Sequence, residues 1–192
     1  MDCRLTEHIK HSCSYNPGGI AHLYLLDFRG FQNYRFSGDQ IFMSGYVDEI
    51  NSDTMFAEVD CSDSTSFSET GEDGLYMQSL QTFINTQDAN KLSILLRASS
   101  GKYIVAFSDL LGRMFCFGSD GGATLSFDQK VGQIGEGAGY LMTLSKQSIY
   151  PLFELNPDTF NKIEIINILG TEDARIVTTE DFNNIITIKR HG

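Results

Sequence analysis

Basic residues, histidine and long apolar runs are scarce in this sequence, and each shortage narrows what the chain can do. Lys and Arg total 14 against 25 Asp and Glu, so the formal net charge is −11 at pH 7. A surface that wraps duplex DNA needs clustered Lys and Arg, which disfavours that class of function. No run approaches the roughly 20 apolar residues of a spanning helix, and the polar N-terminus lacks the apolar core of a secretory signal. We therefore expect no membrane contact and synthesis in a reducing cytoplasm.

Cysteine and histidine are too few, and too irregularly spaced, for a standard metal site. In a reducing cytoplasm we expect the four cysteines to be free thiols: Cys3, Cys13, Cys61 and Cys116. The types of side chain that hold zinc tetrahedrally do occur together near the N-terminus, at Cys3, His8, His11 and Cys13. Their Cys-x4-His-x2-His-x-Cys spacing is not a usual structural zinc pattern. We predict a polar N-terminal arm and no metal, and binding of zinc by these four residues stays an open alternative.

The sequence also offers few groups of residues that could form a catalytic site. Four histidines are too few to make a Ser/His/Asp arrangement probable by count, and no G-x-S-x-G nucleophile elbow is present. Cys61 and Cys116 lie in β-like runs, where a thiol is usually a small core residue. The acidic pairs Asp48–Glu49 and Glu72–Asp73 are expected on a solvated surface. The sequence predicts no catalytic centre and no cofactor.

Most of the chain has the short, bounded apolar runs of β-strands. Runs at 20–28 and 40–50 come first, and runs at 54–60 and 65–70 predict a short meander of edge-like strands. The run at 75–84 places Tyr76, Gln78, Leu80, Thr82 and Ile84 on one face if it is extended, and a helix is the competing interpretation. Five further runs at 102–109, 113–119, 123–129, 140–147 and 149–155 predict a second meander.

One segment, about 86–99, has a helical pattern. Asn85 or Thr86 is the predicted N-cap, and Gly101 ends the helix. The predicted apolar stripe consists of Ala89, Leu92, Leu95 and Leu96. Together these patterns predict a mainly β fold, an antiparallel β-sandwich or barrel with one flanking α-helix.

The segment GQIGEGAGYLMTLS, residues 132–145, is rich in glycine like a phosphate-binding loop. A phosphate loop runs from a strand into a helix, whose N-terminal amides hold the anion. Here β-like runs stand on both sides, no Gly-Lys-Ser/Thr ending occurs, and Glu136 would repel phosphate. We predict a flexible hairpin loop of roughly ten residues that reaches a neighbouring subunit and is ordered by assembly.

The succession of β-like runs is interrupted after Asn156. Three more β-like runs, at 162–170, 174–179 and 184–190, follow a Pro-Asp break. We predict one domain over 1–155 and a small β-rich appendage over 156–192, an arm that pairs with the sheet edge of a neighbour.

Over about residues 1–155 the ordered glycines and aromatics resemble those of a family of small virion proteins. These are tail-tube-like structural proteins of tailed bacteriophages and prophages of gut Bacteroidetes, crAss-like phages among them. The similarity rests on the following positions: Cys3, Cys13, 17–20, Tyr24-Leu25, Glu69-Thr70, Asp73-Gly74, Tyr76-x-Gln78-Ser79-Leu80, 101–103, Asp109, Gly112, Phe117-Gly118, Gly122 and Gly139-Tyr140-x-x-Thr143-Leu144-Ser145. The segment after Asn156 departs from the pattern, which leaves tube subunit, connector ring protein and tail terminator as alternatives.

This resemblance implies a β-sandwich that assembles in a ring of six or twelve copies in the phage tail or neck. The implied partners are further copies of the chain and neighbouring tail or neck proteins such as portal-side adaptors or the tail tube. DNA would only pass through the lumen, whose acidic lining would let it slide. The predicted inter-subunit contacts are Val131, Gly132, Gln133, Ile134, Gly135, Glu136, Gly137, Ala138, Gly139, Phe160, Ile186 and Ile188.

A carbohydrate- or host-surface-binding β-sandwich is the alternative from another class of function. Its binding platform would be built from Phe28, Phe31, Tyr34 and Phe36. Core filling is the more common role of such aromatics.

Overall fold

A computed structural model describes residues 17–37, 46–132 and 137–156, together with the backbone of 164–168 and 187–191. The strands are β1 (Ile20–Asp27), β2 (Phe31–Phe36), β3 (Tyr46–Ser52), β4 (Ala57–Val59), β5 (Ser66–Glu72), β6 (Leu75–Ile84), β7 (Lys102–Asp109), β8 (Met114–Phe117), β9 (Ala123–Val131), β10 (Ala138–Ser148), β11 (Phe153–Leu155), β12 (Glu164–Ile168) and β13 (Thr187–His191). A 3₁₀ turn (Phe28–Gly30) links β1 to β2, and helix α1 (Ala89–Ala98) lies between β6 and β7. The predicted mainly β fold with one flanking helix is confirmed.

The large sheet divides at β7. One edge of β7 pairs with β1, and β1 pairs in turn with β4. The other edge pairs first with β9, at Lys102 and Tyr103, and then with β8, from Val105 to Ser108. Beyond β8 the order continues through β11 and β3 to β2, and beyond β9 it continues through β10 and β6 to β5. Two sheet arms therefore share one strand, and the neighbours are antiparallel except for β11 and β3, which are parallel.

The predicted second meander is wrong at one step, because β8 and β9 do not pair with each other. The chain leaves β8 through a turn closed by a 2.8 Å hydrogen bond from the amide of Gly122 to the carbonyl of Gly118. Gly118 has φ +102°, and a Cβ there would lie 2.7 Å from the carbonyl oxygen of Tyr103. Only glycine fits this approach to β7. The turn moves the chain along the same edge of β7 and so starts the second sheet arm.

β1 and β7 are buried on both faces. Successive side chains of a strand point to opposite sides. Leu23 and Leu25 therefore enter one hydrophobic core, the first core, while Tyr24 and Leu26 enter another, the second core. Residues 104–107 of β7 divide in the same way. This two-sided burial explains why both strands read as continuous apolar runs rather than as alternating ones.

The run at 75–84 is a strand, which decides against the helical interpretation. Gln78, Leu80 and Thr82 are buried on one face of β6. The predicted first meander is wrong, because β4 pairs with β1 whereas β5 pairs with β6. β5 and β6 are joined by Asp73 (φ 52°) and Gly74 (φ 77°), the two-residue turn in which both central residues have positive φ. The Asp-Gly pair in the sequence was the signal for this hairpin.

Helix α1 begins three residues later than predicted. Its N-cap is Asp88, whose carboxylate accepts a 2.6 Å hydrogen bond from the amide of Lys91. Leu95 is buried, and Leu92 and Ala98 pack against the same core, whereas Leu96 is 57% exposed. The predicted cap and stripe are therefore corrected. The face that packs on the core consists of Leu92, Leu95 and Ala98, and Ala89, the first residue of the helix, is exposed.

β12 and β13 pair with each other, antiparallel, in a separate two-stranded sheet. The predicted run at 174–179 and the N-terminal residues Cys3, His8, His11 and Cys13 lie outside the described residues. The domain boundary at 155 stays a prediction.

Candidate assembly surfaces

The glycine segment is a β-hairpin, as predicted. Val131 of β9 pairs with Ala138 of β10, and Lys130 pairs with Gly139. Tyr140 lies inside β10, so no helix begins there to receive a phosphate. The connection outside the ladder is residues 132–137, which is shorter than the ten residues expected. The strands continue further because glycine at 139 permits a close approach between β10 and its neighbour.

Gly139 has a structural role that the sequence did not reveal. It is buried, and a Cβ added there would overlap the carbonyl oxygen of Ile84 and lie 2.8 Å from the ring of Phe83. Gly137, by contrast, is exposed, and a Cβ there would meet Phe83 at an ordinary 3.6 Å. Packing therefore requires glycine at position 139, whereas no contact within the described chain requires it at position 137.

The other predicted interface residues are distributed around this hairpin and the C-terminal strands. Val131 is 75% exposed, and Gly132 is exposed beside it. Ile188 lies in β13 and pairs with Asn167. The remainder lie outside the described residues: Gln133, Ile134, Gly135, Glu136, Phe160 and Ile186. Their part in subunit contacts stays a prediction.

Three strands lie at edges of the sheet within the described part of the chain. β2 pairs only with β3, β5 pairs only with β6, and the three-residue strand β4 pairs only with β1. All residues of β5 except Phe67 are exposed. Glu69 and Glu72 make this edge acidic, whereas β2 carries Arg35, which forms a 3.0 Å ion pair with Glu49 of β3. A strand edge presents unpaired amide and carbonyl groups that can extend the sheet into another chain.

The turn between β7 and β8 presents two exposed leucines. Leu110 is 59% exposed and Leu111 is 52% exposed. The carboxylate of Asp109, itself buried, accepts hydrogen bonds from the amides of Leu111 and Arg113 at 2.9 Å and from Nε of Arg113 at 2.8 Å. These bonds hold the apolar tip in one conformation. The sequence showed this segment only as a connection, because nothing in it distinguishes exposed from buried leucines.

A cavity of about 710 Å³ lies beneath α1. Residues of β1 and β4 line one part of it and residues of β6, β9 and β10 line another, whereas β2, β3, β8 and β11 contribute none. Its apolar lining includes Leu25, Ile84, Leu95, Leu125 and Met142. Asp60 and Asp63 also line it, together with Lys91 and Ile94 of the helix.

A smaller cavity of about 390 Å³ at the C-terminal end of α1 is lined by Arg29, Arg97 and Lys102. Arg29 is engaged by Asp27 at 2.7 Å, and its hydrogen bond holds the pKa of the Asp27 carboxyl below the ordinary value. Arg97 also lies in the last turn of the helix, where a cation offsets the negative end of the helix dipole. The ion pair with Asp27 and the helix dipole thus explain the positions of Arg29 and Arg97, two of these three cations.

The described thiols are protonated groups of the protein interior. Cys61 and Cys116 are both free. Burial raises the pKa of Cys116 to about 12 and also raises the pKa of Cys61. Cys61 follows β4 instead of lying in a strand, which corrects its predicted position, but it packs against the first core. Nucleophilic chemistry needs the thiolate, so neither thiol is set up for it.

His22 and the described acids form no recognisable catalytic or metal-binding group. His22 Nδ1 lies 3.2 Å from a carboxylate oxygen of Glu58 on an exposed surface. Within the described ranges, no three His, Cys, Asp or Glu side chains come together as metal ligands.

The four aromatics of the alternative binding platform fill the second core. Phe28, Phe31, Tyr34 and Phe36 are half-buried and pack against it. Tyr34 meets Phe31 edge-on with 5.1 Å between ring centroids, and Phe36 meets Phe153 in the same way at 5.1 Å. Core filling, the more common role of such residues, is confirmed.

Comparison with known proteins adds no relative. No family model, no curated protein and no solved structure matches the chain. Among the residues that the structure describes, no helix has the length and apolar character needed to cross a membrane.

Proposed function

We propose that this chain is a non-enzymatic structural subunit that joins further copies of itself in a closed ring. The observation that carries the proposal is that β2 and β5, at the two ends of the nine-strand path through the sheet, each have a partner strand on one side only. These two edges, both longer than the third edge at β4, can be extended by identical neighbours. Contacts of this head-to-tail kind close into a ring when the rotation between copies permits it.

The charges on the two edges favour pairing between unlike edges. β5 carries Glu69 and Glu72, and β2 carries Arg35. Two β5 edges side by side would place carboxylates against carboxylates, which is unfavourable. A β5 edge beside a β2 edge would place these carboxylates beside Arg35, whose guanidinium already pairs with Glu49 at 3.0 Å, so that like charges do not meet. Avoidance of like charges favours a head-to-tail ring over a two-fold dimer through β5.

The resemblance to tail-tube-like proteins suggests where such a ring works. We place it in the virion of a tailed bacteriophage, in the tail or the neck, with six or twelve copies around a lumen. Neighbouring tail or neck proteins would stack on it through the β9–β10 hairpin, whose Val131 is 75% exposed. The net charge of −11 suits a conduit that DNA passes through without binding.

The edge contact is tested by placing charge on it. Ser68 and Thr70 are exposed on β5, and lysine on an edge strand opposes further pairing. The double variant Ser68→Lys/Thr70→Lys is expected to remain folded and monomeric while the unmodified chain forms rings, measured by mass photometry and negative-stain microscopy. Gln81→Lys is a control for added positive charge, because Gln81 is exposed on β6 but has a strand on each side. Rings formed equally by the edge variant would refute the edge contact.

The hairpin is tested separately. Residues 132–137 are replaced by Asn-Gly, which closes the Val131–Ala138 pair with a two-residue turn. The variant is expected to keep its melting temperature within a few degrees and to lose stacking or ring formation. Stacks and rings indistinguishable from those of the unmodified chain would contradict the assigned role.

A further inference from the structure

The tip of the β7–β8 turn is an apolar group prepared for binding. Its two leucines are more than half exposed, while the Asp109 carboxylate beneath them is 89% buried as a side chain, since it keeps 11% of its accessible surface. The amide of Gly112, at φ +80°, donates to the carbonyl of Asp109 at 3.1 Å and closes the turn. A tip already fixed by these bonds loses little conformational entropy when it is bound.

The cavity beneath α1 has the complementary character. Its lining is apolar, and its mouth is bordered by Ile94, which is 50% exposed on the helix. Exposed apolar surface around a concave site is typical of a surface that another molecule covers. At about 710 Å³ the cavity has room for a pair of leucine side chains.

The tip and the cavity lie at opposite ends of β7. Tyr103, near the start of the strand, lines the cavity, and Asp109, at its end, holds the tip. Six residues of a strand span about 20 Å at a rise of about 3.3 Å per residue. A tip this far from the cavity cannot fill it within one copy, so a contact between tip and cavity has to join two copies.

The charges around the two features also match. The exposed member of the ion pair at the tip is Arg113, with 45% of its side chain accessible against 11% for Asp109. Among the charged residues that line the cavity, the three acids Glu58, Asp60 and Asp63 outnumber Lys91. Seating the tip would bring a cation to a mainly acidic lining, which favours association and fixes its direction.

From this complementarity we infer that Leu110 and Leu111 of one copy insert into the cavity beneath α1 of the next copy. The inference rests on the proposed ring and names one of its contacts. A knob on one end and a cavity on the other make a heterologous interface, the type that generates rings. A contact made by two leucine side chains is small. Closure of the ring adds to its stability, because the last contact forms within one assembly at a high effective concentration.

The test is photo-crosslinking in the full chain, with p-benzoylphenylalanine at position 111. Copies with and without ¹⁵N are mixed, so that crosslinked peptides reveal whether they join two copies. Crosslinks between copies to segments 57–63 or 91–98 are expected. Crosslinks confined to one copy, to the β12–β13 hairpin, or to another surface of a neighbour would overturn the inference while leaving the ring proposal standing. Absence of any oligomer of the unmodified chain would overturn both.

Substitutions test the same contact independently of the probe. Leu110→Ser/Leu111→Ser is expected to weaken association about 10- to 100-fold, the equivalent of losing one buried leucine or more. Ile149→Ser is the control, because Ile149 is 58% exposed and lies away from both features. Ile94→Glu at the cavity mouth is expected to act like the tip variant. Mixing the tip and mouth variants should restore the contact between unlike copies and raise association above that of either variant alone, and a mixture that associates no more strongly than either variant would refute the assignment.

Discussion

Alanine at position 139 is the sharpest test of how the glycine segment is built. A Cβ there would overlap the carbonyl oxygen of Ile84 and lie 2.8 Å from Cζ of Phe83 and 3.1 Å from the carbonyl carbon of Ile84. Two of these three atoms belong to the backbone of β6 and cannot rotate away. Relief therefore requires β10 to move from β6 at the Tyr140–Ile84 pair. Overpacking of this kind costs about 1–3 kcal/mol, and we expect the upper half of that range.

For a chain of this size, about 2–3 kcal/mol lowers the melting temperature by roughly 4–12 °C. The assay is thermal and urea unfolding followed by circular dichroism. Gly137→Ala is the matched control from the same segment, because its Cβ would meet nothing closer than 3.6 Å. It should change stability by less than about 0.5 kcal/mol. Equal melting temperatures for the two variants would show that position 139 is as slack as the sequence suggested, and that the close strand approach is wrong.

Three further predictions concern the cap, the tip and the buried thiol. Asp88→Ala should lower the free energy of unfolding by about 1 kcal/mol as a lost N-cap, whereas Thr86→Ala should change it little, as measured by urea unfolding; the reverse order would place the cap where the sequence suggested. Asp109→Ala should cost about 2–3 kcal/mol in the same assay, because it removes hydrogen bonds from two backbone amides and a guanidinium to a charged acceptor; a neutral result would mean that the tip is not braced. Burial raises the pKa of the Cys116 thiol from its ordinary 9.0 to about 12, so between these values the unfolded chain releases a proton that the folded chain keeps. Stability should therefore fall as pH rises above 9, by up to about 1.4 kcal/mol per pH unit, and Cys116→Ala should flatten this dependence; an unchanged slope would refute it.

Structural elements whose signal lies in adjacent residues could be predicted from this sequence. The apolar runs at 20–28 and 102–109 predicted β1 and β7, because burial on both faces leaves a local signature. The imperfect alternation in 75–84 left a strand and a helix as alternatives, and the structure shows the strand β6. The glycine segment was recognised as a hairpin because β-like runs bound it on both sides. The Asp73-Gly74 turn was equally local, and its dipeptide would have joined β5 to β6.

Pairing between distant segments was not predictable from the same patterns. Nothing in the sequence of β4 says that it pairs with β1, and nothing near Gly118 says that β8 and β9 share one edge of β7. The helix cap was misplaced because Asn85, Thr86 and Asp88 all favour that position, and only the packing of Leu95 fixes where the helix begins. The cavity beneath α1 is lined by segments that are distant in sequence, from Leu25 to Met142, so it has no sequence signal of its own.

The tip and the cavity lie at opposite ends of β7. β7 is the strand that both sheet arms share, so a structure built at its start and another built at its end are held at a fixed separation by a strand buried on both faces. Copies with a net charge of −11 repel one another. Contact between them therefore needs an attraction that does not depend on charge. Two leucines on a braced turn provide such an attraction, because burial of apolar surface does not depend on charge. The acids that line the cavity favour the approach of Arg113 at the tip and oppose the approach of another acidic surface, which gives the contact its direction.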